Sequence, residues 1–170
     1  MSNVSSIMHA KSTSEDINTG LEEGFRKDIS KTLSDILGAS YRLMVKSHVY
    51  HWNVVGPLFK PLHELTEEHY QNLFEAIDVI AERVRALGNV APYSIGHAAD
   101  FAPEGKEVEH LTAIEMVDDL IKEHESICRQ MREAAEKAGD NKDVVTEDLM
   151  TERLAFHEKA IWMLRATASE

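Results

Sequence analysis

Between Pro61 and Leu87 two helical stripes run along the same stretch of chain, and they point in nearly opposite directions. Leu62, Leu65, Leu73, Ile77, Ile80, Val84 and Leu87 recur at three- and four-residue spacing, the signature of a helix with one buried face. His63, Glu67, Asp78 and Glu82 fall within an arc of roughly 100° on the other side, at 3.6 residues per turn. A helix of this kind must bury its apolar stripe against other helices. It then presents imidazole and carboxylate outward. The residue types suit iron or manganese, and also zinc, and they include no thiolate. Asp78 and Glu82, four apart, aim two carboxylates the same way. A row of charges on a helix is also what a solvated face looks like. His51, next to Trp52, and His63 after a short turn favour a metal site.

The remaining helices are read in the same way. Residues 1–20 are polar and mixed, and are expected to form a flexible tail. Residues 21–170 are expected to form one domain. A first helix starts near Leu21, carries Leu33, Ile36, Leu37, Leu43 and Met44 on its stripe, and ends near His51. Gly56 and Pro57 lie in the short turn that follows, so the first two helices should be antiparallel neighbours. Gly88 stands where a helix C-cap belongs. Residues 89–111 form a long crossover, within which the segment from Tyr93 to Phe101 is predicted to make a short helix. Thr112-x-x-Glu115 reads as a capping box opening the third helix. That helix has a stripe of Val117, Leu120, Ile121, His124, Ile127, Cys128 and Met131. A fourth helix follows Asp140-Asn141-Lys142-Asp143 and runs to about Ala166, with Leu149, Leu154, Phe156, Ile161 and Leu164 as its apolar residues.

The fold expected is therefore all-α: a ferritin-like four-helix bundle, with a long crossover containing a short helix between helices 2 and 3. The usual carboxylate-bridged iron site inside such a bundle needs Glu-x-x-His on two helices. The one such motif here, Glu107 to His110, lies in the crossover, so a metal site on this chain is not the one inside the bundle.

Composition narrows the function classes. Thirty acidic residues against 18 basic ones give a formal net charge of −12, which disfavours attraction to a phosphate backbone. The single cysteine, Cys128, permits no intrachain disulfide and is read as an inert buried thiol. With no disulfide framework and no apolar run of signal-peptide or membrane-span length, a cytoplasmic protein is expected.

His51-Trp52-Asn53-Val54-x-Gly56-x-x-Phe59-x-x-Leu62-His63-Glu64, then Asp78, Ala81-Glu82-Arg83 and Leu87-Gly88, closely resemble the signature of the Dps family, the mini-ferritins named as DNA-binding proteins from starved cells. The likeness covers about residues 25–167. It implies a ferroxidase that oxidises Fe(II), preferentially with hydrogen peroxide, and stores Fe(III) mineral inside a hollow homododecamer. Such chemistry protects against oxidative stress, because it removes both Fenton reagents together. The resemblance implies His51, His63, Asp78 and Glu82 as metal ligands, with Glu82 bridging. Glu67 stands where the family more often has Asp, and adds a methylene. Trp52 matches an aromatic beside the iron site and is either an electron donor or a packed ring. Asp143 and Asp148 resemble acids near the ion-entry pore, or else serve as helix-cap charges. The alternative activity is DNA binding and nucleoid compaction. Against it, the tail has only Lys11 as a fixed positive charge, and DNA binding is predicted to be weak or absent. His69, His124 and His157 are read as satisfied packing histidines, and His48 is set aside.

One geometric expectation follows from the helix itself. His63 and Asp78 are ~22 Å apart along a straight helix rising 1.5 Å per residue, too far to share an ion. A second copy packed antiparallel about a two-fold axis near residue 72 would bring His63 and Glu67 of one chain to Asp78 and Glu82 of the other. Phe74, an aromatic on that polar face, would be buried only on assembly.

Overall fold

The computed structural model describes residues 12–94 and 111–169. Among them are four helices and no strand: α1 (Glu23–Asn53), α2 (Phe59–Ala86), α3 (Ala113–Asp140) and α4 (Val144–Thr167). The short crossover helix expected from Tyr93 to Phe101 lies outside the described residues, except for Tyr93 and Ser94, which are not helical. The Glu107 to His110 motif lies outside them altogether.

α1 pairs with α2, and α3 with α4; α1 also packs on α3, and α2 on α4. The α1–α2 pair is antiparallel. His51 meets His63 at one end, and the Arg26 guanidinium donates to the Leu87 carbonyl, at 3.0 Å, at the other. The interior is built from the expected stripes of α1, α2 and α3. Leu33, Ile36, Leu43, Leu62, Leu73, Ile80, Val117, Leu120 and Met131 are all fully enclosed. α2 begins two residues earlier than Pro61, because Pro61 needs no amide donor in a first turn. The Thr112 capping box is present, with both reciprocal hydrogen bonds formed.

α4 departs from its expected face. Its buried residues are Thr146, Met150, Arg153, His157, Ala160 and Leu164, while Leu149, Leu154, Phe156 and Ile161 are only partly covered. Polar side chains take the inward positions because they find partners there. Arg153 donates to Asn72 Oδ1 at 2.7 Å and lies 4.6 Å over the Phe156 ring, and His157 bonds His124.

Two polar links lock helix to helix. Lys46, almost wholly buried, bridges Asp119 at 2.9 Å and Glu123 at 2.8 Å, and Tyr50 donates to Asp119 at 2.7 Å. A buried ammonium is tolerable only with such compensation. At the far end of α2, Gly88 has φ +86°. A Cβ there would also lie 2.7 Å from the Glu15 carbonyl oxygen, so only glycine fits. The Glu15 amide donates to the Gly88 carbonyl at 2.8 Å, and Arg85 pairs with the Glu15 carboxylate at 3.0 Å. Part of the segment expected as a tail thus makes defined contacts with the end of α2.

Candidate metal centre

The turn between α1 and α2 brings His51 and His63 face to face. Their rings stack at 3.7 Å with 17° between planes. His51 Nδ1 lies 2.8 Å from the His63 carbonyl oxygen, and His63 Nδ1 lies 2.8 Å from the His51 carbonyl oxygen. A carbonyl oxygen can only accept, so each Nδ1 must carry its proton and donate. Both rings are therefore held in one tautomer, with the Nε2 lone pairs left for an ion. Gly56, at φ +86°, makes the turn that permits this approach. Phe59 flanks His63, with ring centres 5.0 Å apart.

Glu67 lies one turn along α2 from His63 and is half-buried. Its Oε1 accepts from the Gln71 amide at 3.2 Å and from the Tyr70 hydroxyl at 3.4 Å. Asp78 and Glu82 are exposed on the same helix, further on. Asp78 borders a groove of about 830 Å³ that Leu37, Tyr41, Phe74, Val79 and Tyr93 also line. Phe74 is 68% exposed in the single chain. Among the described residues no three metal-ligating side chains of one chain converge on a point. The chain thus brings His51 and His63 together, with Glu67 one turn away, and leaves Asp78 and Glu82 apart from them.

Trp52 is 62% exposed, and its indole lies 4.2 Å from the His48 ring. His48 stacks on Tyr70 at 4.2 Å, and Tyr70 meets His51 edge-on at 5.4 Å. Sequence reasoning passed over Tyr70. Its spacing of three from Glu67 was the available signal.

The two acids compared with a pore are unlike each other. Asp143 is the N-cap of α4 and is 2% exposed. It accepts from the Thr146 amide (3.1 Å), the Thr146 hydroxyl (2.6 Å) and Arg83 (2.6 Å). Burial alone would raise its pKa, but the Thr146 hydrogen bonds and the Arg83 guanidinium outweigh that and hold the carboxyl below its usual range. For Asp143 the cap is what the geometry displays. Asp148 is exposed.

His69, His124 and His157 are buried, as expected, but not fully satisfied. His124 and His157 share one Nδ1···Nδ1 hydrogen bond of 2.8 Å. The Nδ1 of His69 and the Nε2 atoms of the other two have no hydrogen-bond partner among the described residues. The rings lie 5.0–5.2 Å apart between centres, and the expected satisfaction extends only to the Nδ1 atoms of His124 and His157. Burial drives the His69 pKa down to about 4. Burial first, then the Arg153 guanidinium and the neighbouring His69, drive that of His157 down to about 3. His124 is well below its ordinary value for the same reasons.

A bundle of four helices that pairs α1 with α2 and α3 with α4 has the ferritin-like architecture. The ferritin-like domain family matches residues 30–170. The chain is 42% identical to a low temperature-induced protein of Nostoc sp. strain PCC 7120, over 88% of this chain and 85% of that one. It is 34% identical to DNA protection during starvation protein 2 of Bacillus anthracis, over 73% and 85% of the two chains. The crystal structure of a Dps protein from Vibrio cholerae O1, described as a member of a broad superfamily of ferritin-like diiron-carboxylate proteins, superposes with a TM-score of 0.80 at 25% identity, over 94% and 100% of the chains. The chain belongs to the Dps family of ferritin-like proteins, and so to a group that stores iron and protects against oxidative stress. No helix among the described residues is long and apolar enough to cross a membrane.

Proposed function

We propose that this protein is a ferroxidase and iron store. It oxidises Fe(II), its substrate, at sites shared between two subunits, and keeps the Fe(III) mineral inside a cytoplasmic twelve-subunit shell. The observation that carries the reading is the reciprocal His51–His63 pair. Each imidazole donates from Nδ1 to the other residue's backbone carbonyl, which fixes its tautomer in the way a ligating histidine is oriented for a metal.

The chemistry is a two-electron one. Two Fe(II) and one hydrogen peroxide, with two protons, give two Fe(III) and two water molecules. Peroxide is preferred as oxidant because both of its oxygens then leave as water and no hydroxyl radical is released. His51 and His63 supply neutral nitrogen ligands through Nε2. Glu67, Asp78 and Glu82 supply hard anionic oxygen, which favours the ferric product. Glu82 bridges. Trp52, exposed and against the His48 ring, would give an electron to stray oxidant in this reading.

The separation of the ligands along α2 calls for a partner. In an antiparallel pair crossing near residue 72, His51, His63 and Glu67 of one chain meet Asp78 and Glu82 of the other, twice per dimer. Exposed Phe74 and the groove beside Asp78 support that pairing. With a net charge of −12 per chain, DNA binding is weak or absent in this reading.

Mixed particles test it. His63→Ala and Asp78→Ala subunits should each be nearly inactive alone. Reassembled together they should recover part of the Fe(II) oxidation rate, because a heterodimer retains one intact site of two. Confirmed mixing without any recovery would refute the shared site.

A further inference from the structure

We propose that Tyr70 is a positioning residue for the metal site, and that its hydroxyl, with the Gln71 amide, holds Glu67 so that one carboxylate oxygen is presented to iron. The inference rests on the site reading given above and concerns how that site is kept in order.

Glu67 has a geometric problem that an aspartate at the same place would not have. Its extra methylene adds a rotatable bond, so ordering a free glutamate side chain costs more rotamer entropy than ordering an aspartate. A ligand that is already ordered before the ion arrives does not meet that cost at the binding step. The structure supplies the ordering. Both the Tyr70 hydroxyl and the Gln71 amide reach the same oxygen, Oε1, at 3.4 and 3.2 Å. Among the described residues Oε2 accepts no hydrogen bond. One oxygen is thus tethered and the other left free.

The two donors differ in what holds them. Gln71 is exposed, four residues along the same helix, and such a pair alone would be an ordinary surface contact. Tyr70 is held from outside its own helix. Its ring lies flat on His48 of α1, 4.2 Å between centres and 25° between planes, and stands edge-on to His51 at 5.4 Å. α1 therefore fixes the tyrosine, and the tyrosine reaches the carboxylate. His51 and Glu67, ligands from different helices, become tied through one ring. Groups that orient metal ligands in this way typically change metal affinity by ten- to a hundred-fold when removed.

A double-mutant cycle on the assembled protein tests this, with Co(II) as the probe under anaerobic conditions. Tyr70→Phe keeps the ring and its stacking on His48 and deletes only the hydroxyl. It should weaken Co(II) binding roughly tenfold and change the visible absorption that reports the cobalt coordination number. Glu67→Asp shortens the carboxylate, so the hydroxyl no longer reaches it. Adding Tyr70→Phe to Glu67→Asp should then produce no further weakening. The same loss in both backgrounds, or no loss in the parent, would overturn the positioning role. If the parent protein binds no Co(II), or if His63→Ala leaves binding intact, the site reading itself falls and this inference with it. A parent that binds Co(II) through His63 and is indifferent to Tyr70→Phe removes only the present proposal.

Discussion

Replacing Asp143 with alanine would strip the cap from α4 and leave the Arg83 guanidinium without its carboxylate. A lost cap costs about 1 kcal/mol, and an unpaired, mostly buried charge adds more. The variant should therefore lose roughly 2–4 kcal/mol and unfold at visibly lower temperature by circular dichroism. Its iron uptake, measured in particles that remain folded, should be unchanged, since all of Asp143's bonding is spent on Thr146 and Arg83. Slower uptake with unchanged stability would restore a pore role. Asp143→Asn keeps a capping oxygen and should recover part of the lost stability.

At the scale of elements, the three histidines that join α2, α3 and α4 make the bundle sensitive to acid. They are folded in as neutral rings, with pKa values about 4 for His69, about 3 for His157 and well below normal for His124. In the unfolded chain each titrates near 6.5. Between these values the unfolded state binds more protons, so stability rises with pH. The contribution is fully present above about pH 6.5 and is lost as pH falls toward the folded values. His69 alone accounts for on the order of 3 kcal/mol. The groups facing the trio include Arg153, which opposes charging further, and no carboxylate is bonded to any of the three rings among the described residues. Urea midpoints should fall steadily from pH 6.5 to 4, and His69→Gln should flatten that slope. A slope unchanged by His69→Gln would show that other groups govern acid stability.

For the molecule as a whole, the exposed Phe74 marks the surface that the single chain leaves uncovered. Phe74→Glu places a charge at the proposed two-fold axis, where it would face its own copy. The dimer should then fail to form, seen as a shift toward monomer in light scattering, while helix content stays constant. Fe(II) oxidation should drop at least tenfold although every ligand remains in the chain. An intact particle with full activity would place the axis elsewhere.

How much of this was legible beforehand varies from helix to helix. α1, α2 and α3 could be read from spacing because enough of their inward residues are apolar to mark a stripe, and Thr112-x-x-Glu115 marked the start of α3 to the residue. α4 was legible as a helix, but its inward face was not, because Arg153 and His157 take inward positions between its apolar residues. Their burial depends on Asn72 and His124, which are 81 and 33 residues away in the chain. The ligand types at the site, and the conclusion that one straight helix cannot gather them, followed from the sequence and the rise of a helix. Which nitrogen of each histidine is free did not. That required the turn at Gly56 to lay His51 against the His63 carbonyl, and His63 against that of His51. Local periodicity is written along the chain, so the sequence alone determined the helices and the residue types each one carries. Tautomers, caps and tethers such as Tyr70 on His48 depend on groups meeting across helices, and only the tertiary structure decided those.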